Sequence, residues 1–105
     1  MAVKAIDIEG KWQFASITAA KMFYDPILKN TPISQRVTPD EFLSLKALYE
    51  AYCAKTNWPL PSPPKEFYPM LEKGRGFATR CFGLIFENGK TERFSLDKAL
   101  SAVAN

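Results

Sequence analysis

The sequence contains no histidine, and only two cysteines and five glycines among 105 residues. Without histidine, the usual catalytic triads and general bases are missing, as is any Cys/His metal set. Cys53 and Cys81 stand far apart, so no Cys-x-x-Cys pair exists; buried free thiols of a reducing compartment are expected, with a single disulfide left open. Gly74-Arg75-Gly76 is the densest glycine cluster and lacks the spacing of a phosphate cradle. No run approaches the roughly 18 apolar residues of a membrane span, and the N-terminus lacks the basic start and apolar core of a signal peptide. A cytoplasmic protein that is not an enzyme, holds no cofactor or metal and meets no membrane is the expectation.

What is present is apolar and aromatic: 47% and 13% of the chain, enough for one modest core and one domain. The formal net charge is +3, from 14 Lys+Arg against 11 Asp+Glu. Such a balance permits an anionic partner without requiring one.

Residues 1–15 read as two short strands, Ile6/Ile8 and Trp12/Phe14 around Gly10, or as a lead-in. Residues 16–58 read as a helical scaffold. Ile17, Ala20, Tyr24 and Leu28 recur at helical spacing after Ser16 or Thr18, and Pro26 either kinks that helix or ends it near Tyr24. Thr38-Pro39-Asp40-Glu41 is a capping box with proline in the first turn. The stripe Phe42, Leu45, Leu48, Tyr49, Tyr52, Cys53 follows, and Asn57 and Pro59 stop it. Trp58 to Pro64 holds four prolines in seven residues. It is read as a rigid elbow with Trp58 and Leu60 plugged into the core, in preference to a P-x-x-P ligand.

Residues 62–73 follow as a second helical segment, capped by Ser62, with Phe67, Met70 and Leu71 at i, i+3, i+4 spacing and Pro69 as its difficulty. Residues 77–96 surround Asn88-Gly89, a strong hairpin signal. A two-residue turn pairs Glu87 with Lys90, Ile85 with Glu92 and Gly83 with Phe94. One face then carries Ile85, Phe94, Cys81 and Leu96, and the other Phe82, Leu84, Phe86 and Arg93. Residues 97–105 form a terminal helix capped by Ser95 or Asp97. Helix, elbow, helix and hairpin in that order predict an α+β winged helix-turn-helix: a helical core with a C-terminal β-hairpin wing.

Between Lys65 and Arg93 six basic residues outnumber four acidic ones, a window that carries +2 of the total charge. Lys65, Tyr68, Lys73, Arg75, Arg80, Asn88, Lys90 and Arg93 are therefore the candidate DNA-binding residues, as phosphate or base-edge contacts. Two other partners fit the residues: a homodimer or replication protein held through Phe82, Leu84 and Phe86, and a single strand stacked on Tyr68, Phe82 or Phe86.

Leu48-Tyr49-Glu50-Ala51-Tyr52-Cys53, Pro59-Leu60, Ser62, Phe67 and Leu71 together resemble the C-terminal winged-helix domain of phage, plasmid and poxvirus-type primase-helicases, over about residues 38–96. The resemblance implies a double-stranded DNA-binding module of a replication system, attached in that family to an ATPase. It would put Lys65 and Tyr68 on the recognition segment, Lys73 and Arg75 at its end, and Lys90 and Arg93 on the wing. Pro69 departs from the family's pattern inside the recognition helix.

Overall fold

The computed structural model describes residues 5–8, 10–74 and 77–104, at 72–74 and 77–78 by backbone alone. Strands β1 (Ile6–Ile8) and β2 (Trp12–Phe14) form an antiparallel hairpin that buries Ile6 and Ile8. Gly10 takes its left-handed corner at φ +69°, and Asp7 Oδ1 accepts the Gly10 amide at 3.0 Å.

Helix α1 (Ile17–Asn30) starts at Ser16, whose hydroxyl accepts the Ala19 amide at 3.0 Å. It does not end near Tyr24: Pro26 lies inside it. Pro26 and Met22, one turn earlier, are both exposed, so water can take up the backbone carbonyl that the proline leaves without a donor. Helix α2 (Pro39–Thr56) carries the capping box in full: Glu41 N donates to Thr38 Oγ1 and Thr38 N donates to Glu41 Oε1. It ends on Asn57 in the left-handed conformation, φ 55°. The amides of Asn57 and Trp58 both donate to Cys53 O, closing the helix end.

Residues 62–73 are not a helix: β3 (Pro64–Gly74) is a strand, paired antiparallel with β4 (Phe77–Phe86) from Pro64↔Phe86 to Gly74↔Phe77. No recognition helix therefore follows α2, and Ser62 caps nothing; its hydroxyl accepts the Asn88 amide at 3.2 Å. Strand β5 (Thr91–Phe94) completes a three-stranded sheet in the order β3-β4-β5, and α3 (Leu96–Val103), capped by Ser95, closes the fold. The architecture is a small α+β domain with three helices and two antiparallel sheets among the described residues.

Pro69 explains why a strand is tolerated here. It stands on an edge strand, and its carbonyl points outward to accept the Ser34 amide at 2.8 Å. In an antiparallel ladder a residue's N and O face the same side, so the missing N–H of Pro69 also faces away from β4. Val37 N donates to Phe67 O at 3.0 Å, so the connector between α1 and α2 covers this edge.

The hairpin register also differs from expectation by one residue. Phe86 N donates to Lys90 O and Gly89 N to Phe86 O, which makes a three-residue loop with Gly89 left-handed at φ +87°. Phe94 therefore pairs with Phe82, not Gly83, and the slip exchanges the faces of β5. Phe82, Leu84 and Phe86 are 0%, 0% and 2% exposed and point into the core with Phe67 and Phe94. They offer no dimer surface and no stacking platform. Tyr49 of α2 packs among them, 5.2 Å from Phe94, 6.2 Å from Phe86 and 6.3 Å from Phe67 between ring centres. Trp58 and Leu60 do the reverse of what was expected and remain outside the core, Trp58 at 56% exposed. Cys53 and Cys81 are both buried, and no disulfide joins them.

Burial pushes the Tyr24 and Tyr49 phenols well above the ordinary tyrosine value, for Tyr49 with small added effects from Cys53, Glu92 and Tyr52. An unfolded chain ionises its tyrosines from about pH 10, while the folded chain holds these two protons. The unfolded state then binds fewer protons, so this contribution is intact below pH 10 and is lost as pH rises above it. Thermal unfolding followed against pH is expected to show stability falling above about pH 10 by roughly 1.4 kcal/mol per pH unit for each tyrosine. Tyr24→Phe, which gives up only the bond from its hydroxyl to Ser44 O, should remove about half of that slope.

Candidate functional site

All three helices share one core with the inner face of the β3-β4-β5 sheet. The alternation of strand side chains then leaves an outer face built from Glu66, Tyr68 and Met70 of β3, Cys81, Gly83 and Ile85 of β4, and Thr91 and Arg93 of β5. Cys81 is buried but stands apart from the core cluster, as expected for a residue covered by its neighbours on that outer face.

Gly83 sets the shape of the face. A Cβ there would meet Tyr68 Cε2 and Cζ at 2.7 Å and Met70 Sδ at 2.9 Å, so the phenol ring and the thioether lie over the glycine's backbone. Only glycine permits that approach. Register places Tyr68, Gly83 and Arg93 side by side across the three strands. Tyr68 and Met70 on one side and Thr91, Glu92 and Arg93 on the other border a groove of about 360 Å³. The amide of Arg93 donates to Glu92 Oε1 at 3.1 Å, which occupies an outward N–H of the edge strand and discourages pairing with an added strand.

Of the eight candidate residues, Tyr68 and Arg93 are brought together on this face. Lys65, Asn88 and Lys90 gather at one end of the same sheet, where Pro64 pairs with Phe86 beside the β4–β5 turn. Lys65 also lines a second groove with Arg36, Pro39 and Phe42, and Arg36 there pairs with Glu66 at 3.5 Å. Asn88 is a turn residue: its Oδ1 accepts the Lys90 amide at 3.0 Å. Arg75 and the side chain of Lys73 lie outside the described residues.

Arg80 has a structural task. Its Nη1 donates to Leu28 O at 2.9 Å, Lys29 O at 3.1 Å and Thr31 O at 3.2 Å, the carbonyls at the end of α1. A cation on the negative end of a helix satisfies acceptors that the helix itself cannot. Arg80→Ala is expected to lower stability by about 1–2 kcal/mol in chemical denaturation.

Sequence reasoning missed Met70, Gly83 and Thr91 as parts of one surface. A glycine amid Cys81-Phe82-Gly83-Leu84-Ile85-Phe86 was the available signal, since glycine within a strand marks a close approach. Among the described residues no group of His, Cys, Asp and Glu could hold a metal ion, and no helix is long and apolar enough to cross a membrane.

No family model and no curated protein matches the chain. Its fold is similar to that of an uncharacterized protein from Rhodospirillum rubrum solved by solution NMR, with a TM-score of 0.72 at 22% sequence identity, covering 93% of this chain and 89% of that one. The likeness is one of fold alone.

Proposed function

We propose that this chain is a nucleic-acid-binding module that holds a single strand across the outer face of its three-stranded sheet. The observation that carries the reading is Tyr68, whose ring lies over Gly83 in the same cross-strand row as Arg93. A ring held against backbone on an open sheet is a platform for an unpaired base, and a neighbouring guanidinium suits the phosphate that follows it. Lys65 and Lys90 extend the positive charge to the hairpin end, and the net charge of +3 agrees in sign with an anionic partner.

Duplex DNA, implied by the likeness to primase-helicases, needs an element that enters the major groove, and the segment assigned to that task is β3. The protein-interaction alternative loses Phe82, Leu84 and Phe86 to the core. The test is fluorescence anisotropy of labelled single strands and duplexes over a salt series. Single strands are expected to bind more tightly, with a log-log salt slope of about −2 for three cations at about −0.7 each. A preference for duplex, a flat salt response, or no binding at low salt overturns the reading.

A further inference from the structure

On the other side of β5 lies another cavity, of about 210 Å³, walled by Trp58, Tyr52 and Tyr49 and rimmed by Glu92, Arg93 and Lys98. Its most unusual wall is Trp58. An indole is among the largest apolar side chains and is normally well covered, yet this one is more than half exposed although the core lies close by. The position is imposed by backbone, since the Trp58 amide is tied to Cys53 O at 3.0 Å and Pro59 restricts the conformation of the residue before it. Trp58 thus lines the cavity together with Tyr52 and Tyr49 while remaining more than half exposed.

Size and chemistry narrow the occupant. The cavity is smaller than the roughly 300–1,000 Å³ of sites for drug-sized ligands, and its apolar walls are aromatic. A single planar ring system fits it. The rim holds a carboxylate acceptor at Glu92 and a cation at Lys98, which suits the polar edge of a base attached to a phosphate. Glu92 and Arg93 border both this cavity and the groove under Tyr68, so the two sites adjoin each other around the β5 edge.

We propose that this cavity is a second base-binding subsite for the same single strand, taking one unpaired base against Trp58 and Tyr52 with its phosphate toward Lys98. The inference rests on the sheet-face reading above and adds to it a strand that wraps the short edge strand β5 rather than one confined to the sheet.

The experiment uses the full chain carrying Trp12→Phe, which leaves Trp58 as the sole indole. Labelled single strands of about eight nucleotides are titrated, with anisotropy reporting binding and indole emission reporting the cavity. Binding is expected to quench Trp58 along the same isotherm as the anisotropy. In the chain with Trp12 intact, Trp58→Ala should weaken binding about tenfold, and Trp58→Phe should restore most of it, because stacking is tolerant of ring type. Lys98→Glu, a surface change that folding should tolerate, should also weaken binding and make the salt slope shallower. Strand binding with Trp58 emission unchanged, and with Trp58→Ala within twofold of wild type, overturns the subsite and leaves the sheet-face reading standing. No anisotropy change with any strand overturns both.

Discussion

Phe67→Ala is expected to destabilise the domain by about 3–5 kcal/mol, a large share of the roughly 5–15 kcal/mol that holds a domain folded. Phe67 is fully buried, stacked edge-on against Phe94 at 6.2 Å and near Phe42 at 5.6 Å and Tyr49 at 6.3 Å. These neighbours come from α2 and β5, packed against the ring from two separate elements, so neither alone can move in to fill the space the ring leaves. The carbonyl of the same residue accepts the Val37 amide, so loosening β3 also loosens the connector that covers its edge. Urea unfolding should show the midpoint collapse with little change in m, because the folded surface is otherwise the same. A loss below about 1 kcal/mol would contradict the central place given to this ring.

The contrast between 38–57 and 62–73 shows which parts of the fold the sequence made legible. The capping box at Thr38 to Glu41 and the left-handed stop at Asn57 depend on atoms within four residues of each other, and both are present as expected. The terminal helix capped by Ser95 is equally local. In 62–73 the sequence is ambiguous. Phe67, Met70 and Leu71 satisfy a helical spacing, while Phe67 and Pro69 against Tyr68 and Met70 satisfy a strand alternation. Pro69 argues against the helix, but it is acceptable in a strand only at an edge. That edge exists because β4, eight or more residues further on, pairs on one side while the connector containing Ser34 and Val37 covers the other. Ser34 takes a left-handed φ of 69° to do so, which no local rule would assign to serine.

The candidate site was legible to the same extent. Tyr68 and Arg93 were singled out as residue types, but their neighbourhood depends on register. A hairpin with a two-residue turn would have paired Gly83 with Phe94 and placed Arg93 beside Leu84 on the opposite face. The three-residue loop at Glu87-Asn88-Gly89 is one residue longer, and that residue brings Arg93 beside Gly83 and turns Phe94 into the core. Arg80 failed for a related reason. A basic residue in a basic window reads as a ligand contact, and nothing within its own strand discloses that its partners lie on the end of α1, 49–52 residues earlier.

If the sheet face binds a strand as proposed, Tyr68→Ala should weaken single-strand binding by about five- to a hundredfold, the range for loss of one base stack of about 1–3 kcal/mol. Stability should change much less, since Tyr68 stands outside the core cluster. Gly83→Ala provides the sharper test because it removes none of the candidate side chains. The new methyl would stand 2.7 Å from the tyrosine ring and 2.9 Å from Met70 Sδ. Both are free ends of side chains that can swing aside, so the expected stability cost is within about 1 kcal/mol. The swing lifts the ring off the backbone, however, and with it the surface on which a base would stack. Binding should therefore fall nearly as far as in Tyr68→Ala, and the double variant should be little weaker than either single one. Additive losses would mean that Gly83 and Tyr68 act independently. Unchanged binding in Gly83→Ala, with the ring shown by aromatic NMR shifts to have moved, would remove Tyr68 as the platform.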